Sequence, residues 1–551
     1  MKLNTEGSKL LQGAFILSAA AIFSKLIGTL QKIPLQNLGG DAAFGIYNTV
    51  YPLYTILVTV AMLGLPAAIS RFVAEAAAAR DVQKGQQVLR LSAGITALSG
   101  LLLGVLVYTG APFIAVWVGS SHVTPALRSS AWGLAVVPLM AALRGYFQGL
   151  HNMMPTAVSQ VVEQSVRVAV MIALLLYLTA GGADPAGIAA GALLGPAGGG
   201  LAGLLVMLLY WRSHRRSGLP DPGIMDSARG LAASPGAGTE RGVNARRLLA
   251  YGLPVMLGAL AVPLIGLVDV FTVPRLLAGS GSSGTAAMAQ FGIYNRGLPL
   301  VQIVTMLATS LSVVFIPALA EAKYQRDDAL IRTRITLSLR WFWLLGLAAS
   351  VGLAVLAEPV NTALYGDAAG SGAMTWLAFT AAGGTVSIIS AALLQGLGAV
   401  RAPALSLLAA AALKAALNLL LVPQQGITGA AIAGVAAHLF AAALNVLLLY
   451  RQGYLRLRFA DALLKPAALL AGLGLAAAAV SLAAAKAADA AGFGGGRTAA
   501  LAQSLLGVLA GCAVFALGAV ALRLLSEEEL RQLPGFGPRL ADKLKKLGLF
   551  P

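Results

Sequence analysis

Long apolar runs recur along this chain with few interruptions, and they leave it little choice of fold. In hydrocarbon every backbone N–H and C=O must be satisfied within the chain. A run of about 20 apolar residues therefore reads as an α-helix crossing a core of about 30 Å. Such runs lie near residues 9–34, 44–70, 88–110, 127–150, 155–179 and 186–211, then near 247–277, 289–319, 334–357, 373–396, 402–422 and 427–450. Two more follow near 463–484 and 499–524. The chain is thus expected to be an all-α, polytopic membrane protein of fourteen transmembrane helices, six plus six plus two. Composition agrees: 58% of the 551 residues are hydrophobic, 11% are charged and mean hydropathy is +0.81. A soluble domain carries roughly a quarter charged residues.

The six-plus-six grouping rests on a repeat. Phe44-Gly45-Ile46-Tyr47-Asn48 returns unchanged as Phe291-Gly292-Ile293-Tyr294-Asn295, 247 positions later. Pro52-Leu53 matches Pro299-Leu300, and Gln148-Gly149-Leu150 matches Gln395-Gly396-Leu397, at the same displacement. Three coincidences in one register predict two copies of one long unit, the build of a transporter made of two related bundles. An even number of crossings per copy leaves both copies facing the same way. The expected organisation is an N-lobe at 1–212, a linker at 213–245, a C-lobe at 246–451, the last two helices at 452–525 and a tail at 526–551.

Basic residues orient this arrangement. Connections at 71–90, 212–247, 321–340 and 451–465 carry Arg80, Lys84, Arg215, Arg216, Arg246, Arg247, Lys323, Arg326, Arg456 and Arg458. The alternate connections near 36–43, 111–126, 180–185 and 358–372 contain no Lys or Arg. This bias predicts a cell-membrane protein with both termini in the cytoplasm. It also accounts for the net charge of +18 without a nucleic acid partner. Residues 1–30 mimic a secretory signal only superficially: Lys25 interrupts the apolar run and more runs follow, so an uncleaved first helix is expected. The lone Cys512 excludes a disulfide framework, and neither a cofactor nor a metal is expected.

The segment from Ser213 to Asn244, rich in Gly, Pro, Ser and Arg, reads as a flexible cytoplasmic linker. Its Ser234-Pro235-Gly236-Ala237-Gly238-Thr239 lacks the Gly-Lys-Ser/Thr ending of a phosphate loop. In the tail, Leu533–Leu540 looks like the hairpin of a helix-hairpin-helix DNA-binding module. A single copy tethered to a membrane favours instead a cytoplasmic amphipathic helix, with Lys543, Lys545 and Lys546 facing membrane lipids.

Ionisable residues inside the runs are the functional signal, because a charge in mid-membrane costs about 2.5–3.5 kcal/mol and normally faces a bundle interior or a water-filled cavity. They are Lys25, Arg144, Glu163, Arg167, Asp269, Arg296 and Lys414. Glu163 and Arg167, four apart on one helical face, are predicted to pair. Arg167 and Lys414 occupy equivalent positions of the two copies. Lys25 lies about 24 Å along its helix and Arg296 about 10 Å below the outer face. Two cations at similar depth predict a cavity that attracts an anion, and phosphate or diphosphate suits Arg and Lys best. Lys32, nearer its helix end, reads as a snorkelling side chain. Asn48 and Asn295 read first as hydrogen-bonders between helices.

Several motifs resemble a known family. They are Phe23-Ser24-Lys25-Leu26-Ile27-Gly28, Gly40-Asp41-Ala42-Ala43-Phe44-Gly45-Ile46-Tyr47, Arg144-Gly145-Tyr146-Phe147-Gln148-Gly149, Met154-Pro155-Thr156-Ala157 and Ser159-Gln160. Together they are similar to the stage V sporulation protein B group of polysaccharide exporters. That group belongs to the multidrug/oligosaccharidyl-lipid/polysaccharide flippase superfamily and is akin to the lipid II flippases. The resemblance implies fourteen helices in two lobes, alternating access and an undecaprenyl-diphosphate-linked glycan as cargo. It implies diphosphate binding by Ser24-Lys25 and Arg296. A second first-helix arginine of some relatives is Gln31 here, and the second-helix arginine region around Leu53–Leu57 is uncharged. The candidate substrate-binding set is Ser24, Lys25, Asp41, Asn48, Arg144, Arg167, Asn295 and Arg296.

Some related flippases bind sodium with an Asp on the seventh helix and an Asn/Asp pair four apart on the eleventh. This chain offers Asp269, then Lys414 and Asn418. The ammonium of Lys414 would repel sodium, so Asp269, Lys414 and Asn418 form the candidate ion-coupling set, with Lys414 as a tethered cation. The expected function is lipid-linked glycan flipping by a monomer, without catalysis. Two alternatives are a drug/cation antiporter of the same superfamily, which would want acidic cavity residues, and a glycan polymerase or ligase, which would want a large outer loop.

Overall fold

Among the described residues all regular structure is helical, as a chain that must satisfy its own backbone in lipid requires. The structure, a computed structural model, describes residues 3–216, 244–455, 464–492, 495–522, 524, 542–543 and 545. The expected linker beyond residue 216, Arg456, Arg458 and the Leu533–Leu540 hairpin lie outside the described residues. In chain order the helices are α1 (Leu3–Leu30), α2 (Lys32–Met62), α3 (Leu65–Ala78), α4 (Val82–Val118), α5 (Thr124–Gly149), α6 (Met154–Ala180), α7 (Pro185–Ala192), α8 (Gly195–Arg216), α9 (Ala245–Gly279) and α10 (Gly284–Asn295). They continue as α11 (Leu298–Tyr324), α12 (Asp328–Val355), α13 (Ala357–Tyr365), α14 (Ser371–Ala378), α15 (Thr380–Gly396), α16 (Arg401–Gln425), α17 (Ile427–Arg451), α18 (Lys465–Ala490) and α19 (Arg497–Ala521).

Eleven runs among the described residues are long and apolar enough to cross a membrane. They become twelve if Ala245–Leu260 and Pro263–Gly279, bent by 56°, count as one span. The fourteen expected crossings do not all separate. The two assigned to 9–34 and 44–70 share one bent stretch, Ala19–Ala78, of 60 residues. At 1.5 Å per residue that is about 90 Å of helix, far more than one bilayer crossing uses. The bend inside α2 falls at Gly40, whose φ of 77° and ψ of 170° only glycine adopts without strain.

The chain divides into two compact units, Met1–Gly292 and Ile293–Pro551. α9, which the sequence places at the head of the C-lobe, packs on α2, α3 and α4 of the first unit. The duplicated stretch forms much of that unit's core: Phe44, Ile46, Tyr47 and Val50 pack with Leu127, Leu175 and Met288. Its glycine is required by contact. A Cβ on Gly45 would strike the Met288 carbonyl, and one on Gly292 would strike the Asp41 carbonyl. The glycines of the two pentapeptides thus cross at backbone distance, as small residues allow between membrane helices.

The internal order of the second unit repeats that of the first. α14 and α15 together run from Ser371 to Gly396 and α5 from Thr124 to Gly149, displaced by 247 at both ends; α16 starts at Arg401 where α6 starts at Met154. Both units also start one helix in the same way. Arg80 and Arg326 each have φ of 57°, and the next residue, Asp81 or Asp327, caps the helix by accepting from Lys84 N at 2.8 Å or Leu330 N at 2.9 Å. In the second unit, α18 and α19 pack on each other, α18 against α12 and α19 against α13.

Candidate anion-binding site

α6 carries Glu163 and Arg167 on one face, yet they do not form the predicted pair. Glycines of α8 bring its backbone against α6: Gly199 lies over Glu163 and Arg167, and Gly203 over Ser159 and Glu163. α5 packs on the same α8, which sets Arg144 beside Glu163. Arg144 donates from Nη2 to Glu163 Oε2 at 2.8 Å and to Ser159 Oγ at 2.8 Å, and from Nε to Ser159 Oγ at 3.2 Å. Ser159 passes its own proton to the Gly203 carbonyl at 3.0 Å. An arginine from a neighbouring helix, donating from Nη2 to the carboxylate and from Nε to Ser159, takes the carboxylate that the four-residue spacing assigned to Arg167.

Arg167 turns instead towards α2. It is buried, donates from Nη2 to Tyr47 Oη at 3.3 Å and places its guanidinium 4.7 Å from the centre of the Tyr51 ring. Tyr47 and Tyr51 stack on each other, with 5.4 Å between ring centres and 7° between planes. Gln31 Nε2 reaches the same Tyr47 hydroxyl at 3.5 Å. Lys32, the next residue, opens α2 and is half-buried. Among the described residues no carboxylate pairs with Arg167 or Lys32. A buried guanidinium, a tyrosine hydroxyl and an amide therefore meet beside a second tyrosine ring, with half-buried Lys32 next in sequence to that amide and, among the described residues, no paired carboxylate. Their chemistry suits an oxyanion: a guanidinium fork, an ammonium and neutral donors, with an aromatic face that holds the arginine.

The second unit keeps two of these positions, while Tyr51 is replaced there by Leu298. Lys414, equivalent to Arg167, and Tyr294, equivalent to Tyr47, are both buried. A Cβ on Gly434 of α17 would sit 3.8 Å from Tyr294 Oη and 3.9 Å from Lys414 Cε, so the glycine leaves room for both. Asn418, one turn beyond Lys414, is buried as well.

Arg296 occupies the break between α10 and α11 and is 1% exposed. Its Nη1 and Nη2 grip Asp367 Oδ1 and Oδ2 at 2.6 and 3.2 Å. Tyr365 Oη donates to the Arg296 carbonyl at 2.8 Å, and the guanidinium lies 5.3 Å from the Tyr365 ring centre. The hydrogen bond from Arg296 holds the Asp367 carboxyl below its ordinary value of 3.8.

The other sequence candidates scatter. Ser24 is buried with its hydroxyl 3.5 Å from the Gln160 carbonyl, while adjacent Lys25 is exposed. Consecutive helical residues lie about 100° apart around the helix, so the expected Ser24-Lys25 pair is split between two environments. Asp41 accepts from Gln36 Nε2 at 3.0 Å. Asn48 donates to the Phe44 carbonyl of its own helix at 2.8 Å rather than to a neighbouring helix. Asn295 is buried at the end of α10. Asp269 is 6% exposed on α9. Sequence reasoning missed Tyr47, Tyr51 and Asp367. Tyr47 carried a signal, since it lies in the duplicated pentapeptide; Asp367 carried none.

An all-helical chain with this many apolar spans, two units of like helical order and buried cations is a multi-pass membrane protein of transporter build. The chain belongs to the Polysaccharide biosynthesis protein family, which it matches over residues 10–323. It is 32% identical over 542 residues to the uncharacterized membrane protein YabM of Bacillus subtilis, covering 97% of this chain and 96% of that one. It is 28% identical over 450 residues to the lipid II flippase MurJ of the same organism, covering 77% and 80%. Among solved structures, lipid II flippase MurJ in an inward closed conformation superposes with a TM-score of 0.63 at 14% identity, covering 92% of this chain and 100% of that one. That likeness is one of fold.

Proposed function

We propose that this protein is a flippase that moves an undecaprenyl-diphosphate-linked glycan, such as lipid II, from the inner to the outer leaflet of the cell membrane by alternating access. The observation that carries the reading is buried Arg167, set against Tyr47 and Tyr51 with Gln31 on the same Tyr47 hydroxyl, and with no carboxylate partner among the described residues. A buried cation without a counter-charge is costly, and an anionic cargo removes that cost. The relationship to the lipid II flippase MurJ of Bacillus subtilis supports the choice of cargo. The cluster disfavours the antiporter reading, because a cationic drug entering it would meet like charge. Catalysis is not needed, since flipping makes and breaks no covalent bond.

Depletion tests the reading. Undecaprenyl-diphosphate-linked precursors should accumulate on the inner leaflet, and Arg167→Ala should fail to restore export while remaining in the membrane at normal level. Arg167→Lys places in the first copy the residue that the second carries as Lys414, and it should restore export in part. Unchanged precursor distribution on depletion would refute the proposal.

A further inference from the structure

Arg296 and Asp367 form an ion pair of unequal members. The cation is 1% exposed; the carboxylate is 55% exposed. The cation is also the better anchored of the two. Arg296 is held through its backbone carbonyl by Tyr365, and its guanidinium lies over the same ring. Asp367 belongs to the short connection 366–370 between α13 and α14, whose ends Gly366 and Gly370 have φ of 92° and 76°. The connection is stitched together locally: Asp367 Oδ1 accepts from Ala369 N at 2.8 Å, and Asn361 Nδ2 donates to the Ala369 carbonyl at 2.6 Å. The first copy carries Thr49 and Ser120 at the positions of Arg296 and Asp367. The two charges therefore occur together in one copy and are both missing from the other.

A carboxylate that presents two oxygens to a guanidinium fork makes the same contact that a phosphate oxygen pair would make. Leaving the fork would cost Asp367 little, because water already reaches it. Leaving Arg296 empty would cost much more, because it is buried.

We propose that Asp367 is a built-in counter-anion for Arg296, exchanged for a phosphate or diphosphate group when that group enters the second unit. The inference rests on the flippase reading for the identity of the cargo, but the exchange is a binding property and is tested without transport. In the resting protein the carboxylate neutralises the buried arginine. A diphosphate carries more charge than one carboxylate and takes the fork, returning Asp367 to water. Asp367 thus sets a threshold: weakly charged anions do not displace it, and a diphosphate does.

The test is equilibrium binding to the purified full-length protein in nanodiscs, with inorganic pyrophosphate as one probe and undecaprenyl diphosphate incorporated in the disc as the other. Removing the competing anion in Asp367→Asn should tighten pyrophosphate binding about tenfold, the size of one charge-assisted contact. Asp367→Glu, which keeps a carboxylate at the loop, should bind within about twofold of wild type, since two residues with the same charge compete alike. Adding Asp367→Asn to Arg296→Ala should give no tightening. If Asp367→Asn binds pyrophosphate no better than wild type, or if it tightens binding equally without Arg296, the exchange is overturned. Should Asp367→Asn fail to fold, Asp367→Glu and Arg296→Lys decide. A lysine lacks the fork, so Arg296→Lys should hold Asp367 less firmly and lose selectivity for pyrophosphate over monophosphate; unchanged selectivity overturns the proposal. Tightening with the soluble probe but not the lipid places the exchange on free phosphates. Tightening with both while export is absent leaves the exchange standing and removes the flippase reading.

Discussion

Removing Glu163 leaves the Arg144 guanidinium in a protein interior with, among the described residues, only Ser159 Oγ to accept its hydrogen bonds. Breaking a buried ion pair by deleting one member costs about 3–5 kcal/mol. Here the side chains are 16% and 15% exposed, so some water reaches the survivor and about 2–4 kcal/mol is expected. Arg144→Ala should cost a similar amount, because it strands the carboxylate. The double variant should behave differently. The second copy carries Ala391 and Ala410 at the positions of Arg144 and Glu163, so two alanines are what this architecture already accommodates there. Arg144→Ala with Glu163→Ala should therefore be no less stable than either single variant, which corresponds to a coupling energy of about 2 kcal/mol or more. Reversible unfolding in mixed micelles titrated with SDS reads all four corners of the cycle. Additive losses, with coupling under about 0.5 kcal/mol, would refute the reasoning and return Arg144 to the list of residues that bind cargo.

Three further outcomes are expected. Gly292→Ala puts a methyl group into the Asp41 carbonyl, which cannot retreat without moving α2, so a loss of about 1–3 kcal/mol should appear in the same unfolding assay, with Gly372→Ala, which meets nothing, as the neutral control. For orientation, Ser120 is buried and makes a poor reporter. In a Cys512→Ser background, the exposed Ser283 changed to Cys should react with impermeant maleimide from outside and Gln325→Cys only from the cytoplasm; the reverse pattern would invert the topology. Transport should be unaffected by replacing sodium with potassium, because an ammonium stands at Lys414, and Asp269→Asn should lower it. Sodium-stimulated flipping in proteoliposomes would remove Asp269, Lys414 and Asn418 as the coupling set.

The fold was legible because its determinants are long and local. Twenty apolar residues announce a membrane helix whatever surrounds them, and the duplicated pentapeptide revealed the repeat that the helix boundaries follow. Its glycine was visible as a repeated letter, but its purpose, to let Gly45 and Gly292 cross, depends on which backbones meet. Pairing was less legible for the same reason. Spacing identifies neighbours on one helix, so it joined Glu163 to Arg167, whereas the glycines of α8 decide which foreign side chain arrives first. Asp367 was beyond reach: it is one polar residue in a loop, and only tertiary structure sets it against Arg296.

The matching turns Arg80-Asp81 and Arg326-Asp327 bear on how the chain enters the membrane during synthesis. Each sets an exposed arginine immediately before a helix whose first turn is locked by the following aspartate. The positive charge is thereby fixed at the helix mouth and not left on a fraying end. A nascent chain is oriented by such charges as successive segments are inserted, so on the orientation that the charge bias predicts, each half would carry its own retention signal at the same point in its sequence. An error made while the first half is inserted would then be opposed again as the second half emerges, and loss of one arginine alone is not expected to invert the protein.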